Sequence, residues 1–564
     1  MAYTLDRRRF LKISIAAAGP GLWLRARAEE ATWHTRTDAP FIEVETALGR
    51  IRGGHSRGAL AFKGIPYAGS VSGANRFKAP PEAIGWTGVR DATVLGPPAM
   101  QGPGTTFGEH EPCCNEDCLV LNVWTPAVND GAKRTVMFYC HGGGFTTGSG
   151  GHKIQDGAHL AAAYDVVVVA CNHRLGLFGY LYLGELDAQE YATSGNHGLL
   201  DIVAALAWVR QNIAVFGGDP GNVLLFGESG GGFKTSALMA MPAAHGLFHK
   251  AGIQSGAMLR GIEKEEATET ALRLLAGLGI GPRKVHTLAR VPSARLLAIQ
   301  LAGSKSGGAL GVPTADYFAR HSRPPTGPAA LRPNSPDTWG PVLDGTYLPQ
   351  HPFDPAAPAL SASLPLLIGN MRDEAVFFER ENPQFFHVDE NAMTAKARSL
   401  FGDEADRILA VYRRAMPGST PVERAIAIET ALAMGNRTVA LADRKSLQPA
   451  PVYRYRNDYS SNVRVEGTDW TLRAAHATDL AVVFDNTDIP DLQGDGPGLA
   501  EAARAMSGYF ASFARSGVPL ARGQPVWPRY DTVRRAVMLL NSECKMVYDP
   551  ESEQRQLWHS LGLV

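Results

Sequence analysis

The run Val223-Leu224-Leu225-Phe226 leads directly into Gly227-Glu228-Ser229-Gly230-Gly231, and no other segment of the 564 residues constrains the fold so tightly. Four apolar residues without polar alternation describe a strand covered on both faces, the pattern of a mostly parallel sheet. Gly227 and Gly231 permit a turn too tight for side chains, which leaves Ser229 in a strained backbone conformation. A helical run follows. A strand, turn and helix in this order project the serine hydroxyl above the sheet edge and aim the helix's first N–H groups at the same point. A hydroxyl is a poor nucleophile without a base, so the reading requires a histidine and an acid later in the chain.

Upstream, Thr135 to Cys140 and Val166 to Ala170 are further continuous apolar runs. Between the second of these and Val223 lies Asp201 to Ile213, with Ile202, Leu206, Val209 and Ile213 near helical spacing and Asp201 placed to cap its start. This β-α-β order predicts an α/β protein with a mostly parallel, twisted central sheet and helices on both faces. Strand-like runs resume at Leu364–Ile368 and Val452–Tyr455, and residues 385–448 read as mostly helical. Residues 303–341 are rich in Gly, Pro and Ser. They read as a long surface excursion of the kind that walls or covers a binding site.

His141-Gly142-Gly143-Gly144-Phe145 follows the run ending at Cys140. Three consecutive glycines expose backbone N–H groups without side-chain obstruction, as an oxyanion-binding loop requires. With G-x-S-x-G after a buried strand, the pair is the signature of the α/β-hydrolase fold.

The N-terminus reads as an address. Asp6-Arg7-Arg8-Arg9-Phe10-Leu11-Lys12 precedes an apolar run from Ile13 to Leu24 and the small-residue site Ala26-Arg27-Ala28. Basic, apolar and small segments in that order describe a secretory signal over residues 1–28, followed by one large domain over 29–564. The paired arginines resemble the twin-arginine export signal, which implies a periplasmic or secreted product. The whole chain carries 55 basic and 55 acidic residues. Without the leader, 49 bases stand against 54 acids, a net −5. Neither balance suits a nucleic-acid binder, and no apolar run reaches the length of about 18 residues that a spanning helix needs.

Longer motifs place the chain near a known family. Phe62-Lys63-Gly64-Ile65-Pro66-Tyr67-Ala68, Glu116-Asp117-Cys118-Leu119-Val120-Leu121-Asn122-Val123, Asn172-His173-Arg174-Leu175-Gly176, Gly195 to Asp201 and Phe216 to Val223 all match. Weaker matches reach Trp527-Pro528. The sequence thus resembles the type-B carboxylesterases, which include cholinesterases and bacterial para-nitrobenzyl esterases.

That resemblance implies a Ser-acid-His triad. Gly369-Asn370-Met371-Arg372-Asp373-Glu374 fits the acid segment, with Glu374 as the acid, Asp373 as its adjacent alternative, and Ala375 where the family has glycine. Ala474-Ala475-His476-Ala477-Thr478-Asp479 fits the base segment, with His476 as base. Gly143, Gly144 and Gly230 would supply the oxyanion N–H groups. The family usually has alanine at Gly230; glycine there implies looser donor geometry or a slightly roomier pocket. Ser255 matches a residue that supports the acid. Glu228 is either a charge beside the nucleophile or an ordinary buried, hydrogen-bonded glutamate. The implied reaction is hydrolysis of a small-molecule ester through an acyl-enzyme, with no metal or organic cofactor.

Other readings stay open on the same scaffold: a binding or adhesion protein, an amidase, a lactonase or a specialised detoxifying esterase. Phe145, Phe233, Phe377 and Phe378 are either pocket walls or core. Family members commonly bond the cysteine matching Cys118 to one upstream, but Ala99 stands near that partner's place, leaving Cys113 or Cys114 as substitutes. Cys140 and Cys171, at the ends of buried strands, read as core residues.

Overall fold

Alternate residues of the strand Arg134–Cys140 face two different apolar cores: Val136, Phe138 and Cys140 enter one, Met137 and Tyr139 the other. Both faces of the sheet are therefore covered, as continuous apolar runs require. The computed structural model describes residues 41–102, 111, 113–304 and 339–562. The expected leader, and residues 305–338 of the expected surface excursion, lie outside the described residues.

In chain order the strands are β1 (Ile42–Thr46), β2 (Gly49–Ser56), β3 (Ala59–Pro66), β4 (Val89–Asp91), β5 (Val120–Thr125), β6 (Arg134–Cys140), β7 (Val167–Cys171) and β8 (Gly218–Glu228). They continue with β9 (Lys250–Gln254), β10 (Leu366–Met371), β11 (Val452–Asn457), β12 (Ser461–Arg464), β13 (Thr471–Arg473), β14 (Ala536–Leu540) and β15 (Lys545–Tyr548). Thirteen of them form one sheet in the order β1-β2-β3-β5-β7-β6-β8-β9-β10-β11-β14-β15, with β4 on the flank of β2. The centre, from β7 to β14, is parallel, and antiparallel strands close both edges. The helices His197–Asn212 and Gly230–Leu238 cover one face; Ala158–Tyr164 and Leu499–Ser516 cover the other. Residues 390–446 are largely helical, as the sequence predicts, and include a π-helical turn at Ala431–Gly435.

One expectation is corrected. The helix read as starting at Asp201 begins at His197, so Asp201 lies inside it and caps nothing. Its carboxylate, fully buried, accepts from the backbone N (2.9 Å), Nε (2.8 Å) and Nη2 (2.6 Å) of the buried Arg174. A guanidinium taken out of water needs a carboxylate, and that requirement outranks the local capping preference. The surrounding stretch 188–216 is apolar and long enough to cross a bilayer by composition alone. In the fold it is part of the core, with 61% of its most apolar window buried.

Candidate active site

Neighbouring strands deliver the site. Cys140, at the end of β6, pairs with Gly227 in β8, so the loop that follows β6 rises beside the turn that follows β8. At that turn Ser229 has φ 56° and ψ −121°, a left-handed conformation that L residues rarely adopt. Its N–H donates to Gln254 O at 2.8 Å and its carbonyl accepts from Phe233 N at 3.0 Å, which holds the strained residue on both sides. The flanking glycines are sterically required: a Cβ at Gly227 would stand 2.5 Å from the Gly231 carbonyl carbon, and one at Gly231 would fall on Cys140 O.

Gly143 (φ 82°) and Gly144 (φ 61°) are left-handed too. The Gly143 carbonyl accepts from Thr146 N (3.3 Å), Thr147 N (3.1 Å) and Thr147 Oγ1 (3.2 Å). Because a trans peptide sets its C=O and N–H in opposite directions, anchoring that carbonyl turns the Gly144 N–H the other way. Gly230 opens the helix that Ser229 launches, so its N–H has no intrahelical acceptor. The expectation of a roomier pocket at Gly230 does not fit the packing. The space a methyl group would fill there is occupied by the backbone N and O of Gly144, so glycine lets the two segments close together.

The structure brings Glu374 and His476 into contact. Nδ1 of His476 lies 2.5 Å from Glu374 Oε2. The other carboxylate oxygen accepts from Ser255 Oγ at 2.6 Å and Met371 N at 2.7 Å, so the acid is fixed before it meets the imidazole. Ser255 is itself left-handed (φ 47°), tied through its N–H to Gly369 O in β10. Asp373 does not touch His476. It braces the loop that carries the histidine: its N–H donates to Ala474 O (2.9 Å), and its carboxylate accepts from Ala474 N (3.3 Å) and from Arg372 (2.8 Å). Arg473 also approaches it, at 3.6 Å.

Glu228 is a buried carboxyl that faces the histidine. Its Oε1 stands 3.1 Å from His476 Nε2, although the alignment falls short of a hydrogen bond and both atoms are buried without one. Burial pushes the Glu228 carboxyl up. For His476 burial works against the imidazolium, but Glu228 and then Glu374 outweigh it and raise the imidazole above its ordinary value. Asp479, on the same loop, is buried and accepts from Gln254 Nε2 at 2.9 Å; burial raises it as well. Phe378 and Phe377 pack on the imidazole with centroids 4.8 Å and 5.7 Å away, while Phe145 stacks on Phe233 at 6.3 Å.

Two groups escaped the sequence reading. One is the approach of Glu228 to His476, which joins residues far apart in the chain. The other is Lys234, fully buried on the helix that follows Ser229. A lysine among small and apolar residues in Gly230-Gly231-Gly232-Phe233-Lys234-Thr235-Ser236-Ala237-Leu238 was the available signal. The cysteines are all thiols: Cys118 is turned into the core and Cys113 is exposed, so the expected substitute pairing does not form. Among the described residues no group of three or more His, Cys, Asp or Glu side chains is placed to hold a metal ion.

A nucleophile elbow under a triple-glycine loop, beside a carboxylate–imidazole pair, defines a hydrolase of the serine type. Residues 40–558 match the model of the carboxylesterase family, and the chain belongs to that family. It is 34% identical to the para-nitrobenzyl esterase of Bacillus subtilis, across 91% of this chain and 97% of that protein. It is 31% identical to the phenmedipham hydrolase of Pseudarthrobacter oxydans, across 89% and 95%. The solved structure of a Geobacillus stearothermophilus carboxylesterase superimposes with a TM-score of 0.77 at 34% identity, covering 92% of this chain and 99% of that one. The fold is that of the α/β-hydrolases, and the protein is a carboxylic ester hydrolase.

Proposed function

We propose that hydrolysis proceeds through a covalent acyl-enzyme formed on Ser229. His476 takes the hydroxyl proton as Ser229 attacks the ester carbonyl. Glu374 holds the imidazole by Nδ1 and stabilises the imidazolium, and the N–H groups of Gly143, Gly144 and Gly230 receive the oxyanion. The imidazolium then protonates the departing alcohol. Water, activated by the same imidazole, releases the acid and restores Ser229. The observation that carries this reading is the 2.5 Å contact between His476 and Glu374 beside a left-handed serine.

The name of the para-nitrobenzyl esterase relative, with the half-buried ring of Phe378 against His476, favours esters with a benzyl group, while Phe145, Phe233 and Phe377 belong to the core. Residues 1–28 serve in this reading as a twin-arginine leader to the periplasm or beyond, and 29–564 as the mature domain. The test pairs the protein with Ser229→Ala on a short-chain nitrophenyl ester and follows labelling by an organophosphonate. Stoichiometric phosphonylation of Ser229 and a loss of roughly 10³-fold or more in kcat are expected. Equal rates for the two proteins would overturn the mechanism. A panel of acyl and alcohol groups ranks the substrates, and replacing Arg7 and Arg8 by lysine tests the leader through the location of the activity.

A further inference from the structure

Lys234 is 0% exposed and sits five residues after the nucleophile, on the helix Gly230–Leu238. Its Nζ donates to the carbonyl of His141 at 3.0 Å, and His141 is the residue from which Gly142, Gly143 and Gly144 extend. The same ammonium stands 5.8 Å from the ring centre of Phe145, the residue that closes the loop. Lys234 thus grips the oxyanion loop at its root and rests against its far end. Among the described residues no carboxylate comes within ion-pair distance of it.

A buried amine without an acidic partner is costly to hold, and such groups are retained where they position something. The chain has placed this one between the two halves of the site. The nucleophile and Gly230 belong to the segment leaving β8; Gly143 and Gly144 belong to the segment leaving β6. The Lys234–His141 bond is a side-chain link between those halves. The packed glycines add a second, because the Gly144 backbone lies where a Gly230 side chain would be.

We infer that Lys234 is a positioning residue for the oxyanion hole, holding the His141–Phe145 loop against the nucleophile's helix so that the Gly143 and Gly144 N–H groups meet the charge that develops in the transition state. The inference rests on the acyl-enzyme reading above. It assigns no proton transfer to Lys234, and an amine N–H can donate to the carbonyl in either protonation state. Burial pulls the amine down from 10.5 to about 7. The titratable groups around it are Cys140 at the end of β6, His141 on the loop, Cys171 at the end of β7, His173 just after it, and Glu228 in the turn. Its charge also helps to keep His141 and His173 neutral, second to their burial.

The test compares the protein with Lys234→Met and Lys234→Gln on a nitrophenyl ester and on a trifluoromethyl ketone, whose adduct carries the oxyanion. A misplaced loop lowers kcat about tenfold to a hundredfold with little change in KM. The same factor should appear in weakened ketone binding, and Lys234→Gln, which keeps an N–H donor, should recover part of it. Burial has its own signature. Between about pH 7 and 10.5 the unfolded chain binds a proton that the folded one does not, so Lys234 makes stability rise with pH in that window. The methionine variant should lose that slope.

A kcat within twofold of the parent, or a change confined to KM, would overturn the inference. So would failure of both variants to fold, which would assign Lys234 to the fold as a whole. The acyl-enzyme reading fails separately, if the parent itself is not labelled at Ser229.

Discussion

Glu228 Oε1 lies 3.1 Å from Nε2 of His476, on the side of the ring opposite the Glu374 contact. The imidazole therefore stands between two buried carboxylates, and both favour its protonated form. In the acyl-enzyme mechanism proposed above, that arrangement would stabilise the imidazolium formed when the serine proton is transferred, and it would also set how much free base exists at a given pH.

Replacing Glu228 by glutamine removes one of the two charges that raise His476. With less to stabilise the imidazolium, the imidazole loses its proton at a lower pH. The acid limb of the kcat/KM profile should move down by about one unit or more. An unmoved limb would mean that Glu228 is uncharged in the free enzyme.

Glu374 and Asp373 are neighbours with separate duties, and substitution should separate them. Glu374→Gln removes the partner of Nδ1 and should lower kcat by roughly 10³- to 10⁴-fold. Asp373→Asn leaves that contact in place and loosens the brace to Ala474 and the ion pairs with Arg372 and Arg473, for a loss of about tenfold. Steady-state kinetics on one ester distinguish the two, and equal losses would contradict the division.

Gly230→Ala puts a methyl group where the Gly144 backbone now lies. The loop must retreat, and a displacement of about 1 Å at such a site costs about a hundredfold in rate. The fall should appear in kcat, with the melting temperature lowered as well. A variant with unchanged kcat would show that the loop relaxes without cost.

Asp201→Asn leaves the buried Arg174 without its counter-charge. Breaking such a pair from one side costs about 3–5 kcal/mol, measurable as reduced stability in denaturant. Ser229 phosphonylation of the folded variant should proceed at the parent's rate, because the pair lies outside the reacting groups.

The elbow and the triple-glycine loop were legible in the sequence because each imposes local backbone demands that few residues meet, whereas Glu374 and His476 were legible only through the family resemblance of the segments that hold them. Buried strands were legible for a similar reason: an apolar run without alternation has few other uses. Asp201 shows the limit of local reading. Its position beside a helical pattern suggested a cap, and only the folded chain reveals Arg174 beside it. Gly230 was readable as a residue but not as a contact, since the Gly144 backbone that fills its space arrives from another strand. Glu228 was adjacent to the serine in sequence, yet its relation to His476 spans most of the chain. Lys234 was missed, although it stands alone as a charge among small and apolar residues, because the sequence held no sign of the carbonyl that receives it.

β10 is hydrogen-bonded to β9 on one side and β11 on the other, although more than 100 residues separate Gln254 from Leu366. The strand carrying the acid therefore enters a sheet whose earlier members are already synthesised, and the histidine follows from a segment made later still. A chain interrupted before β10 would possess the elbow and the triple-glycine loop but no base. Ester turnover consequently reports completion of the sheet. In a refolding experiment it should recover no sooner than the last pairing across β10 and β11, even if most of the helical signal returns earlier.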